Sequence, residues 1–183
     1  VVGEFKTSNG KIVKAECKTR FETEPEAKAF LDKCNGSSHS VSSLETKPGL
    51  KKPTAPFTTS TIQQEASRKL GFSVSRTMSA AQKLYEAGLI TYMRTDSVTM
   101  SELALEGAAS YISSKYGPEY SERRVYQNKT KGAQEAHEAI RPTDFSISTH
   151  NGRVDEEKLY GLIWKRAISS QMANARLEKT TVK

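Results

Sequence analysis

Residues 56–93, PFTTSTIQQEASRKLGFSVSRTMSAAQKLYEAGLITYM, carry the signals of two helices and a β-prone segment. Ser60 is placed to cap a first helix, and Gly71 to end it. Ser75 is placed to cap a second helix, whose apolar residues recur at helical spacing up to Gly88. Two helices, a short turn between them and the segment LITYM outline a helix-turn-helix-like unit followed by a strand.

The rest of the chain predicts a mainly α fold with a small partial β-sheet. Residues 1–51 contain a hairpin, a short helix and a third strand near residues 41–46, which are too few strands to close a sheet. The basic connector KPGLKKPTAP separates them from residues 52–178, where two further helices are expected. Residues 179–183 are expected to return to the sheet as a strand.

The charge of the chain favours a polyanion as its partner. Lys and Arg number 28 against 21 Asp and Glu, which leaves a net charge of +7. No GxxxxGK motif is present, so an ATP-binding loop is not expected, and the scattered aspartates do not suggest a magnesium site in this chain. Without a long apolar run or a leader, we expect a cytoplasmic protein that does not enter the membrane.

Tyr92 and Arg94 are the first candidate pair for chemistry. In an extended segment alternate residues point the same way, so Tyr92, Arg94 and Asp96 are predicted to share one face. A phenol is a weak nucleophile near neutral pH, and a guanidinium beside it favours developing negative charge. Because a guanidinium also binds phosphate through two hydrogen bonds, the pair suits attack on a phosphodiester. The alternative is an ordinary amphipathic strand.

A second cluster, AQEAHEAIRPT at residues 133–143, follows further along the chain. On a predicted helix, Gln134, His137 and Glu138 fall on one side, with Arg141 one turn further. His137 could move a proton or bind phosphate, since imidazole changes charge near neutral pH. The alternative is a solvated surface histidine.

Two further features suggest contacts with a phosphate backbone. The hydroxyl residues that precede the helix at Ser60 leave helix N-terminal amides that could receive a phosphate, although capping is their ordinary role. Between residues 66 and 94 five basic residues, including Arg68, face one glutamate. We therefore predict a basic face beside Tyr92.

Four blocks, PFTTSTIQQEASRKLGFS, AGLITYMRTDS, AQEAHEAIRPTD and KLYGLIWKRAISSQMANA, closely resemble successive blocks of the bacterial type IA DNA topoisomerase I family. They occur in the family's order and cover residues 56–183, whereas residues 1–51 match only weakly. The resemblance implies that residues 52–178 are the catalytic-tyrosine domain. It also implies that residues 1–51 and 179–183 belong to the arch-like β domain, and that the chain is a piece lacking the Toprim domain.

The resemblance also implies roles for individual residues. Tyr92 matches the nucleophile that becomes joined to the 5′ phosphate of a broken DNA strand, and Arg94 matches an arginine that contacts phosphate. His137 matches a histidine linked with DNA binding. The other residues expected to bind DNA are Gln134, Arg141, Thr91, Ser60 and Arg68. In the family magnesium is held by the Toprim domain, outside this chain, and no ATP is used. The partners implied are single-stranded DNA, supercoiled duplex and the other domains of the same protein.

Competing functions remain open at the level of sequence. A non-catalytic helix-turn-helix module that binds DNA explains the charge and the two helices, but not the pairing of Tyr92 with Arg94. Tyrosine recombinases place their arginine and histidine before a tyrosine near the C-terminus, the reverse of the order here. A protein-interaction domain is the third alternative, because basic helical surfaces also bind acidic proteins.

Overall fold

The computed structural model describes residues 1–127 and 138–183, and within them a mainly α fold with two small antiparallel sheets. The α-helices are α1 (Glu24–Cys34), α2 (Thr59–Leu70), α3 (Val74–Glu86), α4 (Glu102–Tyr116) and α5 (Val154–Ser170). The strands are β1 (Val2–Lys6), β2 (Ile12–Glu16), β3 (Leu44–Lys51) and β4 (Ala175–Val182). The mainly α class is therefore confirmed, whereas the helix-turn-helix detail stays a prediction.

The strands form two separate pairs and not one partial sheet. β1 and β2 are an antiparallel hairpin in which Val2 lies opposite Glu16. β3 pairs with β4, and Ser43 and Lys183 exchange backbone hydrogen bonds of 3.3 and 3.0 Å. β3 runs through Pro48, so the connector predicted there is wrong at its start. A two-stranded sheet tolerates this proline because one edge of each strand needs no N–H donor.

The chain divides into two compact units. The β-rich unit comprises Val1–Thr46 and Thr180–Lys183, and none of its residues is buried. The helical unit comprises Lys47–Lys179 and holds the hydrophobic core. Large side chains of that core include Phe57, Ile62, Leu84, Ile112, Ile163 and Trp164.

Helix α5 organises the helical unit, because it packs against both α2 and α3. Its apolar residues recur every three or four positions, which places them on one face, and that face is buried. The indole N–H of Trp164 donates to the carbonyl of Phe145 at 3.0 Å, so the one tryptophan of the chain is both packed and hydrogen-bonded.

The helix caps differ from the predicted ones by two residues each. Thr58, not Ser60, caps α2, in a capping box with Thr61. Ser73, not Ser75, caps α3 and accepts from the amide of Arg76 at 3.2 Å. Both true caps have the extended backbone that an N-cap needs, whereas Ser60 and Ser75 already lie within the helices.

Candidate active site around Tyr92

The segment that carries Tyr92 alternates between exposed and buried residues and bends at Thr91, Met93 and Arg94. Tyr92, Arg94 and Asp96 are exposed, and the residues between them are buried, as the sequence pattern predicts. It is not the regular strand that LITYM suggests, because its sheet-like pairing among the described residues is limited to an isolated bridge between Ile90 and Pro142.

One edge of this segment is held by the first residue of α2. The Thr59 hydroxyl donates to the carbonyl of Met93 at 2.8 Å and accepts from the amide of Thr95 at 2.9 Å. The Thr59 amide donates in turn to the carbonyl of Thr95 at 2.9 Å. The backbone on both sides of Arg94 is therefore bonded to a helix terminus.

The other edge is held by residues 139–143. The hydroxyl of Thr91 donates to the carbonyl of Ala139 at 2.7 Å and accepts from the amide of Arg141 at 3.0 Å. The amide of Thr91 donates to the carbonyl of Arg141 at 2.9 Å. Thr143 closes this edge by donating from its hydroxyl to the carbonyl of Gly88 at 2.7 Å. Thr91, predicted to bind DNA, thus uses its hydrogen-bonding groups inside the protein.

The exposed face of the segment presents the two candidate catalytic side chains. Tyr92 is 40% exposed, and its ring lies edge-on to that of Tyr85, with 5.2 Å between the centroids. Arg94 is exposed and makes no hydrogen bond or ion pair with any described residue. An exposed guanidinium two residues from a solvent-accessible phenol can bind an anionic ligand.

Arg141 is held internally. Its guanidinium donates to the carboxylate of Glu138 and, at 2.9 Å, to the carbonyl of Pro142, and 13% of its side chain is exposed. The other oxygen of Glu138 accepts from the amide of Ser101, at the start of α4, at 2.6 Å. The Nε of Arg141 is buried without a hydrogen-bond partner among the described residues.

The predicted helix over residues 133–141 is wrong in its described part, since residues 138–141 are not helical. The physical reason is that their backbone bonds to residues distant in sequence. Ile140 forms an isolated bridge with Phe57, and the amide of Ala139 donates to the carbonyl of Thr99 at 2.8 Å. Gln134 and His137 lie outside the described residues.

The basic residues between positions 66 and 94 are mostly paired with carboxylates. Arg68 and Lys69 both contact the buried Glu65, at 2.5 and 2.9 Å, and Arg166 lies 3.4 Å from it. The hydrogen bond from Lys69 leads the causes that lower the pKa of Glu65. These cations therefore compensate a buried charge as well as contributing to the surface.

Two more of the basic residues between positions 66 and 94 form ion pairs between α3 and α5. Arg76 donates two hydrogen bonds, of 2.7 and 2.6 Å, to the carboxylate of Asp155, and these bonds lower the pKa of Asp155. Lys83 lies 3.7 Å from Glu156. Of the five basic residues between positions 66 and 94, Arg94 is the one without a carboxylate partner in the described part of the chain. The charge of the predicted basic face is thus largely balanced by acidic side chains.

The start of α2 offers little to a phosphate. The amides of Thr58 and Thr61 are used by the capping box, and the amide of Thr59 by Thr95. Ser60 is exposed, and its hydroxyl accepts from the side chain of Gln64 at 3.2 Å.

No group of three or more His, Cys, Asp or Glu side chains that could hold a metal ion occurs in residues 1–127 and 138–183. In the same part of the chain no helix is long and apolar enough to cross a membrane.

Two residues of the site, Thr59 and Tyr85, are not indicated by the sequence, and a third, Glu138, is expected on a helix. Thr59 stands in a run of hydroxyl residues whose ordinary role is capping, and Tyr85 reads as part of an apolar helix face. The spacing of Glu138 and Arg141 is the one available signal for their ion pair, but it suggests a helix.

Comparisons with known proteins show the family to which the chain is similar. The sequence model of the DNA topoisomerase family matches residues 1–183. DNA topoisomerase 1 of Zymomonas mobilis is 55% identical over 159 residues, which are 86% of this chain and 13% of that protein. DNA topoisomerase 1 of a Synechocystis species is 51% identical over 164 residues, covering 87% of this chain and 18% of that protein.

A solved structure agrees with the sequence comparisons. Full-length topoisomerase I from Thermotoga maritima superposes with a TM-score of 0.72 and 36% identity, over 93% of this chain and 29% of that one. The chain thus spans less than a third of the length of these relatives. On the family match and on these identities, the chain belongs to the DNA topoisomerase family.

Proposed function

We propose that this chain carries the nucleophile of a type IA topoisomerase, which breaks one DNA strand, lets another strand pass and reseals the break without ATP. The whole enzyme would thereby relax negative supercoils. The observation that carries the proposal is the exposure of Tyr92 and Arg94 on a segment whose two edges are hydrogen-bonded to the rest of the helical unit. Membership of the topoisomerase family supports it.

The proposed reaction conserves the phosphodiester. The phenolic oxygen of Tyr92 attacks phosphorus and gives up its proton, and the bond from phosphorus to the 3′ oxygen breaks. The 3′ oxygen leaves as a hydroxyl after taking a proton, and the 5′ phosphate stays on Tyr92. Resealing is the reverse attack by the 3′ hydroxyl. Arg94 would hold the non-bridging oxygens and stabilise the charge that builds on them.

We also propose how the other predicted residues contribute to binding single-stranded DNA. Ser60 and Arg68 are exposed on α2 and can reach a phosphate, and the resemblance adds Gln134 and His137. Thr91 and Arg141 would act indirectly in this scheme, by holding the segment of Tyr92.

The remaining assignments rest on the resemblance. We propose that residues 1–51 and 179–183 belong to the arch-like domain and residues 52–178 to the tyrosine domain, whose α2 and α3 form a helix-turn-helix-like unit. By the resemblance, magnesium would be held by a Toprim domain outside this chain. The enzyme would act on the bacterial nucleoid in the cytoplasm.

The test uses the full-length enzyme that contains this chain, with magnesium and single-stranded oligonucleotides labelled at either end. A denaturing gel should show transfer to protein of the 3′-labelled strand and not of the 5′-labelled strand. Tyr92→Phe should abolish transfer. Tyr85→Phe is the matched control, since its ring lies 5.2 Å away and is 41% exposed, and it should retain transfer.

Transfer that survives Tyr92→Phe would overturn the proposal. Binding that prefers duplex DNA of one sequence, without transfer, would favour the non-catalytic helix-turn-helix module. The ion pairs of Arg76 and Lys83 count against that alternative, because these basic residues of α3 bind carboxylates of α5 and are less available to DNA. The chain by itself is expected to cleave poorly or not at all.

A further inference from the structure

We infer that Thr59 is a positioning residue for strand cleavage, which fixes the backbone around Arg94 and thereby the direction in which Tyr92 and Arg94 face. The inference rests on the proposed function, and it adds a residue that neither the motifs nor the resemblance singled out. Thr59 is the first residue of α2 and is half-buried.

The hydrogen bonds of Thr59 are concentrated on one short stretch of backbone. Its hydroxyl lies 2.8 Å from the carbonyl oxygen of Met93 and 3.1 Å from that of Thr95, and it accepts from the amide of Thr95 at 2.9 Å. Its own amide adds the 2.9 Å bond to the carbonyl of Thr95. These contacts bracket Arg94 without touching its side chain.

Helix capping does not explain this hydroxyl. Thr58 and Thr61 already form the capping box of α2, so Thr59 is not needed as a cap. Thr95 is 8% exposed, and solvent therefore cannot easily replace the bond to its amide. The hydroxyl of Thr59 is thus committed to the segment that carries the nucleophile.

Positioning of this kind affects rate more than affinity. The phosphate-binding side chain of Arg94 stays present when Thr59 changes, so DNA still binds. The alignment of phenol, phosphorus and leaving oxygen depends on the backbone that carries both side chains, and small misplacements lower reaction rates steeply. Cleavage and resealing share one transition state, so both should slow by the same factor.

The test compares Thr59→Val with Thr59→Ser in the full-length enzyme. Valine keeps the shape and the amide but removes the hydroxyl, whereas serine keeps the hydroxyl. Under single-turnover conditions with a 3′-labelled oligonucleotide, Thr59→Val should cleave and reseal about ten- to a hundredfold more slowly. Its Kd for the oligonucleotide and the fraction of strand held as adduct at equilibrium should stay as in wild type. Thr59→Ser should restore both rates.

A matched control separates positioning from stability. Thr58→Val removes the true cap of α2 and should destabilise the protein, but it leaves the bonds of Thr59 in place. It should therefore cleave at the wild-type rate. A loss of folded enzyme would lower the amount of adduct without slowing its formation, which distinguishes the two effects.

Three results would overturn the inference. Wild-type rates in Thr59→Val overturn it alone and leave the proposed function intact. A reduced adduct fraction formed at the wild-type rate reduces Thr59 to a structural residue. If the wild-type enzyme forms no adduct that depends on Tyr92, the proposed function fails and the inference falls with it.

Discussion

At the scale of single residues, Arg94 and Arg141 show how differently two arginines of one site are used. Arg94 is exposed and has no partner among the described residues, so its charge is free for a ligand. Arg141 is 13% exposed and is bound to Glu138, which in turn holds the amide of Ser101. The resemblance implies DNA contacts for both, but their surroundings suit one to binding and the other to holding chain segments together.

This contrast predicts a larger loss of stability for alanine at position 141 than at position 94. Arg141→Ala should lower the free energy of unfolding by about 2 kcal/mol, because it leaves the carboxylate of Glu138 without its guanidinium. Arg94→Ala should change it by less than about 0.5 kcal/mol, as expected for an exposed residue without a hydrogen bond or ion pair to the described residues. Urea unfolding followed by the fluorescence of Trp164 measures both.

A double variant checks the cause. If the ion pair is responsible, adding Glu138→Ala to Arg141→Ala should cost less than the sum of the two single changes. Additive losses would show that Arg141 stabilises the protein through other contacts.

At the scale of elements, ion pairs between α3 and α5 pair basic side chains of α3 with acidic side chains of α5. Arg76 on α3 and Asp155 on α5 are joined by two hydrogen bonds, and Lys83 and Glu156 lie near each other across the same two helices. The two helices are far apart in sequence and carry complementary charges at matching positions. Their pairing helps to fix α3, which ends just before the segment of Tyr92.

The pair of Arg76 and Asp155 predicts a stability loss in acid. Arg76 lowers the pKa of Asp155 in the folded protein. A lowered folded pKa means that the stabilisation is complete above the pKa in the unfolded chain, about 3.9, and is lost as the pH falls through the folded value. Asp155→Asn should therefore flatten the pH dependence of the unfolding midpoint below about pH 4 and leave its slope near pH 7 unchanged. An identical acid limb in both proteins would contradict the assignment.

The elements are predictable from sequence where the signal is local. Each of α2, α3 and α4 ends next to a glycine or alanine–glycine pair, and the alternation of buried and exposed residues around Tyr92 follows the sequence pattern. The predicted caps are wrong because several hydroxyl residues stand in a row, and the choice among them depends on backbone geometry. The sequence overestimates the positive charge of the predicted basic face, because the acidic partners of its cations lie outside residues 66–94. These partners are Glu65, Asp155 and Glu156.

At the scale of the whole molecule, the two units differ in what stabilises them. The helical unit has a continuous core, whereas none of the residues of the β-rich unit is buried. Hydrophobic burial is the main favourable contribution to folding. The β-rich unit buries little apolar surface, so little offsets the conformational entropy that its chain loses on folding. Its exposed large apolar residues include Val2, Ile12, Val13, Leu31 and Val41.

The isolated chain should therefore lose its β-rich unit first. Limited proteolysis should cut within Val1–Thr46 before it cuts the helical unit, since backbone without buried contacts opens easily. Trp164, buried in the helical unit, should keep its native fluorescence while these cuts accumulate. Mass spectrometry of the early fragments identifies the sites, and early cuts within α2 to α5 would refute the prediction.

The two borders of the Tyr92 segment also bear on how the protein is made. Thr59 and Thr95 are 36 residues apart and Thr91 and Arg141 are 50 apart, so both borders join distant parts of the chain. Contacts between distant residues form late, because the chain loses entropy on closing a long loop before the favourable contacts form. While the ribosome is still adding residues 139–143, Tyr92 is already synthesised. Its segment can then form hydrogen bonds with Thr59 but not yet with residues 139–143. If the proposed function holds, we expect the segment of Tyr92 to be fixed for strand cleavage only after this last border has formed.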